Sequence, residues 1–169
     1  PLTPPTSKLH YWWLNANPQT WSLSNWSIGE IQSYTLYNDN GNKRRVFQNF
    51  LDAEAGDIAI CYEATPTKQV VALAKIYKKN DGKHIYFQKT ESLTYPIDYS
   101  ILKNCEELNN MEFFANPNGS LFKLTQNEYD FIMDIIRDTN PIKRTNENIG
   151  RYTDEDFLND VFLDEQELK

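Results

Sequence analysis

The chain has 169 residues, 14% of them aromatic, and a formal net charge of −7. That length holds one domain with a real hydrophobic core, and the charge excludes a broad basic footprint for tight non-specific nucleic-acid binding. Two cysteines, Cys61 and Cys105, are too few for a disulfide framework, and without a long apolar span or a signal-peptide pattern the expectation is a cytoplasmic protein with no membrane segment.

In chain order, residues 1–8 form a Pro-rich opening without Met, a fragment or a processed end, and are set aside. Leu9 to Leu14 (LHYWWL) is continuous and aromatic, which predicts a buried first strand. Pro18 biases Asn17 away from helix and ends it. Trp21 and Trp26 follow in a Ser-rich polar loop, where they either cap a core or line a cleft. Gly29 to Tyr37 is β-prone and leads into an Asn38-Asp39-Asn40-Gly41 turn.

Lys43 to Leu51 places Val46, Phe47, Phe50 and Leu51 at helical spacing, with Lys43, Arg44 and Arg45 at its start. Cations there oppose the helix dipole, so they point either to a phosphate contact or to a solvated face. Two long strands are expected over 58–62 and 69–77, with Val70, Ala72, Ala74 and Ile76 at period two, and Cys61 as a small buried hydrophobe. Asn80-Asp81-Gly82 predicts a hairpin into a strand from His84 to Thr90 with Ile85 and Phe87 inward. Tyr95 to Leu102 reads as a separate short apolar segment, 104–109 as a helical turn, and 113–122 as a Pro/Gly loop entering a brief strand.

Thr125 to Arg137 is the clearest helix: Thr125 and Glu128 form a capping box, and Tyr129, Ile132, Met133 and Ile136 an apolar stripe. Residues 139–150 read as a linker and Thr153 to Phe162 as a second capped, acidic helix. Beyond Gly150 seven acids face two bases, giving that tail −5 and the first 150 residues −2. A near-neutral body with an acidic tail slightly favours a protein-interaction module and does not exclude a reader whose affinity comes from one pocket and whose avidity comes from oligomerisation.

No catalytic constellation stands out. His10 and His84 have no metal-ligand spacing or nucleophile partner, the glycines are scattered, and Glu54, Asp57 and Glu63 form no evident acid/base pair. No cofactor or metal is expected. What remains is a set of aromatics and amides, Trp12, Trp13, Trp21, Trp26, Tyr34, Tyr37, Asn49, Tyr62 and His84, of the kind that stacks on a nucleobase and bonds its edge.

Tyr11-Trp12-Trp13-Leu14-Asn15-Ala16-Asn17-Pro18, then Tyr34, Phe47-Gln48-Asn49-Phe50 and Gly56-Asp57-Ile58-Ala59-Ile60-Cys61-Tyr62 resemble, in order and spacing, the EVE domain of the PUA-like superfamily. The Gly41-Asn42-Lys43-Arg44 turn is similar to the related YTH domain, which binds N6-methyladenine. The resemblance covers residues 9–137 and implies an α+β fold, a PUA-like/EVE β-barrel of about five to six strands flanked by helices, plus the short C-terminal acidic helix. It implies a modified-base pocket with Tyr34 as a cage wall, Asn49 as the helix amide beside it and Tyr62 at the strand end. Trp21, Trp26 and His84 compete for the second wall, Ser120 lies near a family serine, and Lys43, Arg44 and Arg45 are the candidate phosphate contacts. The family's Arg before the helix Asn is Gln48 here, which removes one expected contact.

Residues 152–162 separately resemble the lead-in to the AAA+ GTPase module of McrB-type restriction subunits. The domain expectation is therefore 9–138 as the modified-base-binding domain, and 139–169 as a linker and the start of an absent motor domain. The functional expectation is the non-enzymatic DNA-specificity domain of such a modification-dependent restriction system, flipping a methylated cytosine or adenine of double-stranded DNA into the pocket. The motor domain would bring a nuclease subunit and a ring oligomer, with the isolated domain a monomer. Alternatives are a YTH-like reader of methylated RNA, a protein-interaction module, or an amide hydrolase in which a Lys and a Tyr converge with Glu63.

Overall fold

The computed structural model describes residues 9–142. The first strand, β1 (Tyr11–Ala16), lies one strand in from the edge of a six-stranded sheet and pairs parallel with β3 (Ile58–Glu63) and antiparallel with β6 (Leu121–Leu124). Beyond β3 the sheet continues antiparallel through β4 (Gln69–Lys78) and β5 (His84–Asp98) to the edge strand β2 (Ile31–Thr35). The two edges, β2 and β6, curl towards each other: Tyr34 Oη on β2 lies 2.6 Å from Oγ of Ser120, which directly precedes β6. Helix α1 (Phe47–Asp52) fills the remaining gap by packing Phe50 inward and donating Asn49 Nδ2 to Leu121 O at 3.0 Å.

The curl divides the apolar residues into two cores. Trp12, Leu14, Phe50, Ile76, Ile85 and Phe87 belong to the inner one. Trp13, Ile60, Tyr62, Phe113, Phe122 and Ile132 lie on the outer face, covered by α2 (Tyr99–Lys103), α3 (Glu112–Ala115) and α4 (Gln126–Thr139). Alternation along β1 explains the split, since Trp12 and Leu14 face in while Tyr11 and Trp13 face out. Buried Asp57 anchors the start of β3 by accepting Trp12 Nε1 at 2.9 Å, His10 N at 3.1 Å and Glu54 N at 2.8 Å.

Several sequence expectations hold in detail. The capping box is present: Thr125 Oγ1 accepts Glu128 N, and Glu128 Oε1 accepts Thr125 N. Asn38 Oδ1 accepts the amides of Asn40 and Asn42, and Gly41 takes φ 82°, so the turn forms as its residues predict. Ile85 and Phe87 are fully buried.

Others need correction. The helix expected from Lys43 starts only at Phe47, because Val46 adopts a left-handed conformation (φ 53°) and Lys43 still bridges back to Tyr37. Lys43, Arg44 and Arg45 therefore lie ahead of the helix, in the returning arm of the turn. Val70 faces the outer core while Ala72, Ala74 and Ile76 face the inner one; the register with β3 shifts between Cys61 and Tyr62, leaving Val71 as an extra residue. Of the segment read as separate, Tyr95 to Leu102, the first half to Asp98 is part of β5 and the rest lies in α2. Ser92 pairs with Ala72 and Ile97 with Val70, so Pro96 sits where the ladder is interrupted and its missing N–H is not needed. There the Asn140 side chain substitutes for a strand, accepting Tyr95 N at 2.8 Å and donating to Tyr95 O at 2.9 Å. The predicted acidic helix at 153–162 lies outside the described residues, none of whose helices is long and apolar enough to cross a membrane.

Two substitutions rank these contacts. Asp57→Ala leaves three donors without their buried acceptor and is expected to cost about 3 kcal/mol or more. Thr125→Ala removes one cap bond and is expected to cost about 1 kcal/mol. Urea unfolding midpoints at constant slope measure both, and a larger loss for Thr125→Ala would contradict the ranking.

Candidate nucleic-acid interface

Tyr34 lies at the mouth of the inner core because β2 is an edge strand and its side chain shares a face with Ile85, its cross-strand partner. Three groups surround its ring. The Trp21 centroid is 5.8 Å away with planes 23° apart, Phe50 is 6.2 Å away at 13°, and the Arg44 guanidinium carbon sits 4.3 Å over the ring centre. Arg44 is fixed in that position by donating Nε to Thr35 O at 2.7 Å and Nη2 to Thr35 Oγ1 at 2.6 Å.

Arg44 separates two adjoining clefts. One, of about 440 Å³, is lined by Trp21, Gln32, Tyr34, Asn38 and Arg44 among others. The second, about 560 Å³, runs between Lys43, Arg44 and Arg45 on one side and Asn118, Gly119 and Ser120 on the other. Both fall in the size range of small-ligand sites. The second wall is tight: a Cβ on Gly119 would lie 2.9 Å from Phe122 Cζ, so only glycine lets this loop press against the outer core.

The predicted site residues do not all meet here. Tyr34, Trp21, Ser120, Lys43, Arg44 and Arg45 do. Trp26 is buried beneath Trp21, centroids 5.2 Å apart, with Nε1 donated to Glu30 O; of the two readings left open for the tryptophans, it caps the core and Trp21 lines the cleft. His84 pairs with Thr35 on β2 and its ring lies beside Tyr86; it alternates with inward-facing Ile85, so it points away from Tyr34. Asn49 is buried and its amide is committed to Glu112 Oε1 and Leu121 O, which makes it a tie between α1 and β6. Tyr62 points into the outer core against Trp13 and Phe113. Glu63 is likewise buried, and its Oε2 accepts two backbone amides, so Lys, Tyr and Glu do not converge on an open site at Glu63.

Sequence reasoning missed the commitment of Arg44 to Tyr34, which joins adjacent strands of the turn rather than neighbours on a helix. It also missed buried Lys89, whose Nζ donates to Leu23 O and Trp26 O at 2.8 Å each. Burial pushes the Lys89 pKa down, with smaller opposing effects from Cys61 and Glu63. Trp21 Nε1 is buried with no partner among the described residues.

No family model matches the chain, and no curated protein matches it either. Solved structures do match. Human THYN1 protein in complex with DNA containing 5-methylcytosine is 16% identical, with TM-score 0.61 over 75% of this chain and 97% of that one. A Leishmania major hypothetical protein is 16% identical, with TM-score 0.64 over 78% of this chain and 96% of that one. A protein from Rhodopseudomonas palustris is 18% identical, with TM-score 0.60 over 75% and 92%. At these identities the likeness is one of fold: a six-stranded curled sheet with four helices, the α+β PUA-like/EVE architecture.

Burial raises Cys61 from its ordinary 9.0 to about 12 and Tyr62 from 10.0 to about 12. The unfolded chain releases these protons at the ordinary values while the folded chain retains them. The associated stability is therefore complete below about pH 9 and is lost as pH rises towards 12. Urea midpoints measured from pH 8 to 11 are expected to fall, and in the native protein a thiol reagent should label half-exposed Cys105 but not Cys61. A midpoint that stays flat through pH 11 contradicts this.

Proposed function

We propose that the chain is a reader of a modified base in duplex DNA, with the cleft formed by Trp21, Tyr34, Arg44 and Ser120 as its base pocket. The observation that carries the reading is an aromatic pair at the mouth of a curled sheet with three consecutive cations beside it. An aromatic surface recognises a base by its face, and cations ahead of α1 position the backbone without reading sequence. The THYN1 complex with 5-methylcytosine-containing DNA, on the same fold, supports that choice of ligand.

The geometry constrains how a base enters. A ring inserted between Trp21 and Tyr34 needs a centroid separation of about 7 Å, twice the ~3.5 Å of stacked contact, and the rings are 5.8 Å apart. The Arg44 guanidinium already occupies a stacking position over Tyr34, held by two bonds in an arm at the surface. The base takes that position, and Arg44 swings to the side of Lys43 and Arg45 to meet a phosphate. Ser120 Oγ, bonded to Tyr34 Oη, then supplies a polar contact beside the base. Burying one methyl group is worth about 0.8 kcal/mol by transfer, and up to about 3 kcal/mol in a fitted pocket. That is the scale of discrimination to expect.

The finer role follows from the tail. Its resemblance to the lead-in of McrB-type motor modules supports a place as the DNA-specificity domain of a modification-dependent restriction subunit, in which a GTPase ring acts on a nuclease.

Binding to duplexes that differ only in one base modification tests the reading. The modified duplex should bind at least about fourfold more tightly, the factor for one methyl. Tyr34→Ala and Trp21→Ala should each weaken it by about 1–3 kcal/mol with the fold retained. Lys43→Ala with Arg45→Ala should instead weaken modified and plain duplexes equally and lower the salt slope by about two. Equal affinity of the wild-type chain for both duplexes would refute the pocket, and a preference for matched RNA would move the ligand to RNA.

A further inference from the structure

The loop between β1 and β2, from Asn17 to Glu30, places Trp21 against Tyr34, yet it contains no regular secondary structure. Two buried charged side chains grip it, and their bonds meet at Leu23. Glu63 Oε2 accepts Leu23 N at 2.7 Å and Ser24 N at 3.2 Å, while Lys89 Nζ donates to Leu23 O and Trp26 O at 2.8 Å each. Both charged residues are nearly inaccessible, 4% and 2% exposed. The Lys89 backbone adds bonds to the same loop, accepting Gly29 N and donating to Glu30 O. Trp21 is two residues before the gripped residue and Trp26 three after it, so the tryptophan pair is built around this point.

Charges of opposite sign at such depth are an expensive way to gain stability. Apolar replacements of buried ion pairs are often neutral or stabilising, whereas removing one partner leaves an uncompensated charge. What an ammonium and a carboxylate provide, and a methyl group cannot, is directional bonding to main-chain atoms of a segment with no ladder of its own.

Building on the base-reading pocket above, we propose that Glu63 and Lys89 are its positioning residues: by fixing the main chain at Leu23 they set where Trp21 stands relative to Tyr34, and so how well a modified base is told from a plain one. Neither side chain touches the ligand. They act through the loop, and the DNA-backbone contacts of Lys43 and Arg45 do not depend on them.

The test compares full-chain variants on modified and plain duplexes. Glu63→Gln with Lys89→Met removes both charges together and so avoids an uncompensated one. Its ratio of modified to plain affinity is expected to fall at least fivefold or to unity, with the salt slope unchanged. Lys89→Arg, which keeps the charge and the donors, should recover part of the ratio. A folded double variant that retains the wild-type ratio overturns the inference. Amide hydrogen exchange on the wild-type chain gives a second reading that needs no variant: Leu23 and Ser24 should be protected like amides of β3, and exchange at the rate of free loop amides overturns the grip itself. A wild-type chain that does not discriminate between the duplexes but keeps that protection defeats the base-reading pocket, and with it the link to discrimination, while leaving the grip standing.

Discussion

The structure depends on the closure of its sheet. Six strands in the order β2-β5-β4-β3-β1-β6 have two free edges, and an open sheet of this kind exposes unpaired main-chain groups on both. Here the edges are brought together by short ties: the Tyr34–Ser120 bond, the Asn49 amide on Leu121, and Phe50 wedged between them. The inner core exists because of that closure, and so does the cleft, which is the part of the seam the ties do not fill. A residue that closes the seam is therefore also a residue that borders the cleft, and Tyr34 is both.

Polar groups inside the molecule follow a consistent pattern. Asp57, Glu63, Lys89 and Asn140 are all buried, and each bonds main-chain atoms of a segment that has no strand partner there. Asp57 holds the turn before β3 together with the chain ahead of β1, Asn140 the interrupted edge of β5, and Glu63 with Lys89 the long loop. Each removes from the low-dielectric interior the cost of an unsatisfied backbone group.

How much of this was legible in the sequence depends on the range of the interactions. The Thr125–Glu128 capping box, the Asn38–Gly41 turn and the inward alternation of Ile85 and Phe87 are local, and they formed as read. Tyr34 at the pocket was reached through its order among other motifs. Tyr62 and Asn49 followed from the same resemblance, yet their side chains go to the outer core and to an α1–β6 tie. Nothing in the local pattern tells an inward from an outward residue where nearly every position on β3 is buried. The late start of α1 and the length of β5 left no local signal either: Val46 takes a left-handed conformation without being glycine, and Pro96 sits inside a strand where the ladder is interrupted. Lys89 left no local trace, since its bonds span 63 and 66 residues.

The grip on Leu23 falls on main-chain atoms, and the exposed side chains of Ser24 and Asn25 take no part in it. A lineage can therefore exchange these residues without disturbing the scaffold, much as an antibody framework tolerates turnover in its loops. Positions 63 and 89, by contrast, must keep their chemistry or change together. The architecture separates an exchangeable surface from a fixed mount, and substitutions at such loop side chains leave the main-chain bonds in place.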